Sequence, residues 1–145
     1  MTVPLSRVFG SVAAVDVSPE MVAQARTAVR DRSNVELFLN NGADLPMFPN
    51  QYFDFAISSV VFQHIPRRAI IENYIQETYR VLKPMSVFKF QVQGCPIAEE
   101  QADTWVGVGF SETQMQRIAA DAGFQIKSSY GAATQYYWLT FLKRG

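Results

Sequence analysis

The sequence has very few of the residues that build disulfides and metal sites. Its 145 residues include one cysteine, Cys95, and one histidine, His64. A single cysteine excludes an internal disulfide. One cysteine with one histidine falls short of the ligand set of a zinc site, so we predict no bound metal.

Net charge and long apolar runs are lacking as well. Thirteen basic and thirteen acidic side chains cancel, and without a basic surplus the chain is poorly suited to neutralise many phosphates. No segment approaches the ~18 apolar residues of a membrane span, and the opening MTVPLSRVFG has no apolar stretch of signal-peptide length. We therefore predict a cytoplasmic protein with neither a nucleic-acid partner nor a membrane partner.

What the sequence does contain is typical of a globular domain. Hydrophobic residues make up 48% and charged residues 18%, and the length is that of one domain over residues 1–145. Strand-like and helix-like segments alternate, which predicts an α/β fold with a mostly parallel sheet.

Hydrophobic periodicity and turn residues give the expected elements. The predicted strands are 11–17, 35–39, 53–59, 86–91, 124–130 and 136–143. The predicted helices are the end of one at 4–9, then 18–32, 67–81 and 111–122. Gly10 and Pro84 are expected to end the helices before them, and the short GAATQ turn predicts that the last two strands are antiparallel.

The stretch VAAVDVSPEMV places an acid, Asp16, at the carboxyl end of an apolar strand. Ligands bind at this end of open parallel sheets, and a carboxylate there can accept hydrogen bonds from two neighbouring hydroxyls. The alternative is structural, since Ser18 and Pro19 open a helix directly afterwards and aspartate is a common capping residue.

Four segments in this order resemble the class I S-adenosylmethionine-dependent methyltransferases of the small, Rossmann-like type. They are VAAVDVSPEMVAQAR, NNGADLPMFPNQYFDFAISSVVFQHIP, YRVLKPMSVFKFQV and FSETQMQRIAADAGFQIKS. The resemblance covers nearly the whole chain. It implies a mostly parallel sheet with a C-terminal antiparallel pair, and a methyltransferase that acts on a small-molecule acceptor.

The resemblance also implies an S-adenosylmethionine site at the strand ends. Asp16 would hold the ribose, Val17 and Met21 would flank the adenine, the GADL stretch would contact the adenine edge, and Ser58 would lie near the methionine part. The implied cofactor residues are Asp16, Val17, Met21, Gly42, Ala43, Asp44, Leu45, Ser58 and Ser59. The alternatives are a core role for Met21 and an ordinary surface turn for GADL.

The acceptor would lie beside the segment after the third strand and beside aromatic residues nearer the C-terminus. The implied substrate residues are Phe62, Gln63, Trp105 and Tyr137, for which the alternative is plain core packing. His64 is the candidate catalytic residue, because imidazole suits proton transfer near neutral pH. The alternative is a histidine bonded to the backbone, since methyl transfer needs mainly alignment and a base is optional.

Two departures from the family pattern stand out. Met85 and Ser86 occupy positions where the family usually has two glycines. The family's first strand and glycine-rich loop are absent before Asp16, where the sole glycine is Gly10, so the domain is expected to be N-terminally truncated.

A missing central strand would leave two strand edges unpaired, and three outcomes are open. The sheet halves close up, another copy fills the gap, or an N-terminal extension completes the sheet. We expect a homo-oligomer through the exposed edges. Two other functions stay open: a degenerate methyltransferase fold with an oligomeric or structural role, and an NAD-dependent oxidoreductase. The C-terminal antiparallel pair and the DLP loop argue against the oxidoreductase.

Overall fold

The computed structural model describes residues 1–145, and backbone contacts divide them into two compact units, Met1–Asp44 and Leu45–Gly145. The first unit is built on a two-stranded sheet and the second on a four-stranded sheet. The structure is α/β, as the alternating pattern predicts.

The first unit is a parallel strand pair with a connecting helix. Its elements are α1 (Thr2–Leu5), β1 (Val12–Asp16), α2 (Pro19–Ala28) and β2 (Val35–Leu39). The two strands run parallel, with Val12 opposite Val35 and Asp16 opposite Leu39. The carboxyl ends of β1 and β2 therefore meet at one edge of this unit.

Local signals explain where α2 begins. Ser18 has an extended backbone, its hydroxyl oxygen accepts a hydrogen bond from the Met21 N–H at 3.2 Å, and Pro19 takes the first helical position. Two boundaries differ from the prediction. α2 ends at Ala28 and not near residue 32, and the N-terminal helix lies at Thr2–Leu5, with residues 6–9 forming a turn.

The second unit contains a mixed four-stranded sheet. Its elements are β3 (Phe53–Ser58), α3 (Arg68–Val81), β4 (Leu82–Val92), α4 (Glu112–Ala122), β5 (Phe124–Tyr130) and β6 (Tyr137–Lys143). The strand order is β3-β4-β6-β5, in which β3 and β4 are parallel and β6 is antiparallel to both neighbours. The predicted C-terminal antiparallel pair is thus confirmed.

The core of this unit lies where α3 and α4 cover the sheet. Burial alternates strictly along β6, so Leu139 and Phe141 point inward, and Phe141 meets Phe90 edge to face at 4.8 Å. Each helix contributes its apolar stripe, Ile71 and Ile75 from α3 among them. α4 begins with a Ser111/Gln114 capping box and ends at the left-handed Gly123, close to the predicted helix at 111–122.

The junction between α3 and β4 differs from the prediction. The helix ends at Val81 and the strand begins at once with Leu82, so Pro84 lies inside β4, where the pairing with β3 shifts. Lys143 fixes this helix end from far along the chain, because its buried ammonium donates to the carbonyl oxygens of Tyr79 at 2.7 Å and Leu82 at 2.8 Å.

A polar cluster ties the segment 45–50 to α3. The Glu77 carboxylate accepts a hydrogen bond from the Leu45 N–H at 3.0 Å. It also accepts two hydrogen bonds from the Arg80 guanidinium, both at 2.8 Å. Arg80 also donates to the carbonyl oxygens of Leu45 and Phe48. These hydrogen bonds, chiefly the one from Arg80, hold the pKa of Glu77 below its usual range.

Four strands have a neighbour on one side alone, namely β1 and β2 in the first unit and β3 and β5 in the second. β1 pairs with β2 and with no other strand, and β3 pairs with β4 and with no other strand. No helix of the chain is both long enough and apolar enough to cross a membrane.

Candidate functional site

In the first unit, Asp16 lies at the carboxyl end of β1, as predicted. Its Oδ1 accepts the Ser18 N–H at 2.9 Å, so the aspartate takes part in the start of α2. Its second carboxylate oxygen has no protein hydrogen-bond partner. Asp16 can therefore cap the helix and bind a ligand at the same time, because Oδ1 accepts from the helix start and the other carboxylate oxygen remains able to accept.

Exposed apolar side chains surround this carboxylate. Val17 is 60% exposed, Met21 50% and Leu39 54%, and exposed apolar side chains are informative where they lie near one another and not singly. A cleft of about 290 Å³ lies alongside. The cleft is lined by Met1, Thr2, Ala14, Val15, Asp16, Met21, Val22, Ala25 and Leu37. An acceptor oxygen beside apolar surface suits a ligand that has both hydroxyl groups and a flat ring.

In the turn after β2, side chains of the turn itself accept the backbone N–H hydrogen bonds. The Gly42 N–H donates to Asn40 Oδ1 at 2.6 Å, and the N–H groups of Ala43 and Asp44 donate to Asn41 Oδ1 at 2.9 and 3.2 Å. These amides are consumed within the turn, so they are not available to a ligand in this conformation. Asp44 spends Oδ1 on the Asn41 amide at 2.6 Å, which leaves its other oxygen as an acceptor.

This turn lies close to the end of β1. A Cβ atom built on Gly42 would stand 3.4 Å from Val17 Cγ1. The unit Met1–Asp44 thus brings together the implied residues Asp16, Val17 and Gly42. Leu45, in the second unit, is buried and its N–H is already bound to Glu77.

In the second unit, Ser58 ends β3 opposite Phe90 of β4, with Ser59 next to it. The chain then turns sharply at Val60, whose φ of 59° is in the left-handed region. A β-branched residue is rare there, and such strain is found at sites whose surroundings force it. The Val60 N–H donates to Gln91 Oε1 at 3.2 Å, so a buried side chain of β4 holds the strained residue.

The implied substrate residues divide by exposure. Phe62, Gln63 and Tyr137 are buried in the second unit, at 4%, 4% and 1% exposure, and burial raises the pKa of Tyr137 above that of an ordinary tyrosine. Trp105 is 82% exposed. Among these four side chains, Trp105 alone is presented to solvent.

His64 is held at both ring nitrogens. Its Nδ1 lies 3.0 Å from the Thr104 carbonyl oxygen and its Nε2 lies 3.1 Å from Gln63 Nε2. Each nitrogen therefore has a protein partner, and a proton-transfer role would require one of these contacts to open.

The residues ahead of β1 contain no strand. They consist of α1 and a turn, and Gly10 is the one glycine among them. The described chain therefore carries no glycine-rich loop in front of Asp16. No group of three or more His, Cys, Asp or Glu side chains is arranged to hold a metal ion.

The comparisons with known proteins agree with this architecture. The family model described as "Methyltransferase domain" matches residues 1–90. The chain belongs to this methyltransferase-domain family. No curated protein matches the sequence significantly.

Solved structures share the fold at low sequence identity. An S-adenosylmethionine-dependent methyltransferase from Methanosarcina mazei has a TM-score of 0.79 at 19% identity, over 99% of this chain and 87% of its own. A geranyl diphosphate methyltransferase in complex with S-adenosylmethionine has a TM-score of 0.76 at 13% identity, over 98% and 73%. The [4+2]-cyclase SpnF has a TM-score of 0.77 at 17% identity, over 99% and 70%. The Rossmann-like methyltransferase fold predicted from the four segments is thus confirmed.

Two features escaped the sequence reasoning. Leu39 joins the exposed apolar surface around Asp16, and the hydrophobic pattern of β2 gave no sign of this. Buried glutamines support the loops after β3 and β4, and the sequence signal for them is Gln91 and Gln93 on either side of the buried Val92 at the end of β4. Two buried side-chain amides at this strand end need hydrogen-bond partners.

Proposed function

We propose that this protein is an S-adenosylmethionine-dependent methyltransferase that methylates a small-molecule acceptor. The observation that carries the proposal is Asp16. It ends a parallel strand with one carboxylate oxygen unused, amid exposed apolar side chains, in a chain that belongs to the methyltransferase-domain family.

The residues of the first unit fit the adenosine part of this cofactor. The unused oxygen of Asp16 is a suitable acceptor for a ribose hydroxyl, and Val17, Met21 and Leu39 offer apolar surface to the adenine. Asp44 has a carboxylate oxygen left for the adenine amino group. Adenine contacts through the N–H groups of residues 43–45 are less supported, because those amides are bound within the protein.

On the second unit we propose Ser58 and Ser59 for the methionine part and Trp105 for the acceptor. When bound, the cofactor supplies a methyl group on a sulfonium centre. The task of the protein is then to orient the acceptor and exclude water. Trp105 offers a large aromatic face for that purpose, whereas Phe62 and Tyr137 would support such a surface from the core.

Calorimetry with S-adenosylhomocysteine and with NAD tests the proposal. Binding of S-adenosylhomocysteine alone is expected. Binding of neither would favour a non-catalytic protein, and binding of NAD alone would favour an oxidoreductase. With S-adenosylhomocysteine as probe, Asp16→Ala should weaken binding by ~1–3 kcal/mol, the scale of a hydrogen bond to a charged group.

The matched variants separate ribose binding from helix capping. Asp16→Asn retains an oxygen for the Ser18 N–H but turns the second acceptor into a donor, so it should weaken binding while leaving α2 intact. Asp31→Ala removes an exposed carboxylate of the same unit and should leave binding unchanged. Equal affinities for wild type and both Asp16 variants would remove Asp16 from the site.

A second candidate is a protein of this fold without methyltransferase activity. The [4+2]-cyclase SpnF has a similar fold. In either case we propose a homo-oligomer through the open edges of β1 and β3, since unpaired strand edges favour pairing with another chain. Light scattering after size exclusion should show a dimer or larger species. A monomer at high concentration would oppose this.

We propose further that residues 1–145 work as one domain, in the cytoplasm. The support for one domain is that the M. mazei structure matches 99% of this chain. Expression of a fluorescent fusion followed by fractionation would test the compartment. Recovery in the membrane or exported fraction would count against it.

A further inference from the structure

A chain of hydrogen-bonded side-chain amides crosses the second unit near the carboxyl ends of β3 and β4. Gln91, fully buried, accepts the Val60 N–H at 3.2 Å and donates from Nε2 to Gln63 Oε1 and to the Gln135 carbonyl oxygen, the latter at 3.2 Å. Gln63 in turn places its Nε2 3.1 Å from His64 Nε2. Side-chain amides with so many partners are fixed in orientation.

Backbone groups at both ends of this series of side chains determine which atom donates and which accepts in each hydrogen bond. At one end the Val60 N–H can only donate, so it requires the oxygen of Gln91 to face it. The Gln91 NH₂ then faces the oxygen of Gln63, and the Gln63 NH₂ faces His64 Nε2, which must accept. At the other end the Thr104 carbonyl can only accept, so it requires a proton on His64 Nδ1. The hydrogen bonds at both ring nitrogens therefore require the same tautomer of His64, with the proton on Nδ1.

The series of hydrogen-bonded side chains ends at the turn that carries Trp105. The Asp103 carboxylate accepts the N–H groups of Trp105 at 2.7 Å and Val106 at 2.9 Å. His64 binds the carbonyl just before Trp105, and Gln93 donates to the Val106 carbonyl just after it at 3.1 Å. A highly exposed tryptophan is thus held on a turn that is fastened on both sides.

Close packing leaves this turn little freedom. Gly107 has φ of 65°, and a Cβ atom there would stand 2.1 Å from the Gln63 carbonyl oxygen. The backbone next to Trp105 therefore lies directly against the segment that contains His64. Any displacement of that segment would be transmitted to the tryptophan.

We propose that His64 is a positioning residue, a neutral Nδ1–H imidazole that fastens the Trp105 turn, and that Gln91 acting through Gln63 selects this tautomer. The imidazole of free histidine favours the Nε2–H form, so the protein must impose the opposite one. The proposal concerns the geometry of the loops and stands whether or not the protein transfers methyl groups.

Nitrogen-15 NMR of the imidazole ring tests the tautomer directly. His64 is the one histidine of the sequence, so a long-range ¹H–¹⁵N spectrum holds one imidazole and needs no assignment. In the spectrum of the neutral ring at alkaline pH, the Nδ1 resonance should have the shift of a protonated nitrogen and Nε2 that of a bare one. A predominant Nε2–H form would overturn the proposal.

Gln91→Leu tests the origin of the tautomer. It keeps the bulk of the side chain and removes the amide, so the Nε2–H form should gain population. Gln76→Leu, an exposed position on α3, should change nothing. An unchanged tautomer in folded Gln91→Leu would show that Gln91 does not select the tautomer of His64. If that variant does not fold, the wild-type spectrum still decides the tautomer.

Fluorescence anisotropy of Trp105 tests the fastening. In a Trp138→Phe background it is the sole tryptophan, and His64→Ala should lower its anisotropy by freeing the turn. His64→Asn should restore the anisotropy, because the asparagine NH₂ can take the place of Nδ1–H and donate to Thr104. Equal anisotropy in the wild-type, Ala and Asn forms would refute the positioning role.

Discussion

Glu77→Gln offers a quantitative test of how α3 holds the segment 45–50. The carboxylate receives three hydrogen bonds, one from the Leu45 N–H and two from Arg80, at distances of 2.8–3.0 Å. The side chains of Glu77 and Arg80 are 20% and 29% exposed, so solvent screens the pair incompletely.

The magnitude follows from what glutamine can still do. It keeps one acceptor oxygen, but its NH₂ then faces a donor of Arg80 or of Leu45, so at least one charge-assisted hydrogen bond is lost. A hydrogen bond to a charged group contributes ~1.5–3 kcal/mol. Because a fifth or more of each side chain remains exposed, we expect Glu77→Gln to lower the free energy of unfolding by about 2 kcal/mol near neutral pH.

The pH dependence has a definite sign. The folded-state pKa of Glu77 lies below that of an ordinary glutamate, so the unfolded chain takes up a proton first as the pH falls. The stabilisation is fully present above the unfolded value of about 4.3 and is lost as the pH falls through the lower folded value. The difference between wild type and Glu77→Gln should therefore shrink as the pH falls below about 4.3.

Urea unfolding followed by tryptophan fluorescence measures this difference. Both tryptophans, Trp105 and Trp138, belong to the unit Leu45–Gly145, so the signal reports the unit that contains Glu77. Glu100→Gln, an exposed glutamate without an ion pair, is the matched control and should stay within about 0.5 kcal/mol of wild type. A penalty that does not change with pH would refute the electrostatic reasoning.

Three further predictions follow from single side chains. Met85→Gly should stabilise by about 1 kcal/mol in urea unfolding, because Met85 adopts φ of 64° while its side chain is 69% exposed. Lys143→Met should cost ~1–3 kcal/mol by removing the charged donor of two carbonyl oxygens. Burial lowers the pKa of Lys143, so the wild-type advantage over Lys143→Met should grow as pH rises from that lowered value to the ordinary lysine value. Burial raises the pKa of Tyr137, so the folded protein loses stability as the pH rises above the ordinary tyrosine value of about 10. Tyr137→Phe should remove this loss, which a pH series of unfolding midpoints would detect.

Much of the fold could be read from local patterns. The Ser111/Gln114 capping box and the apolar stripe of α4 give its start and its buried face, and β2 occupies the predicted residues 35–39. Asp16 could be placed at a strand end because a short apolar run and a helix-start signal bracket it. These features depend on neighbours within a few residues, which is the range over which sequence patterns act.

The start of β4 and the roles of the buried polar groups could not be read in this way. β4 begins at Leu82 and not at the predicted residue 86, and Lys143, distant in sequence, donates to the carbonyl oxygens of Tyr79 and Leu82 on either side of this junction. His64 looked like a candidate base from its residue type alone. Its environment depends on Gln91 from β4, Gln63 beside it and Thr104 from the loop after β4, and no local pattern connects these positions.

The sequence by itself determined the α/β class, the order of strands and helices, and the acid at the end of β1, because propensity, capping and hydrophobic period are local properties of the chain. The tertiary structure decided which polar groups are still available to a ligand. Asp16 keeps a free oxygen, the amides of the turn after β2 do not, and His64 has both nitrogens bound. That division depends on hydrogen-bond partners brought together only by folding, and each buried donor or acceptor must find one.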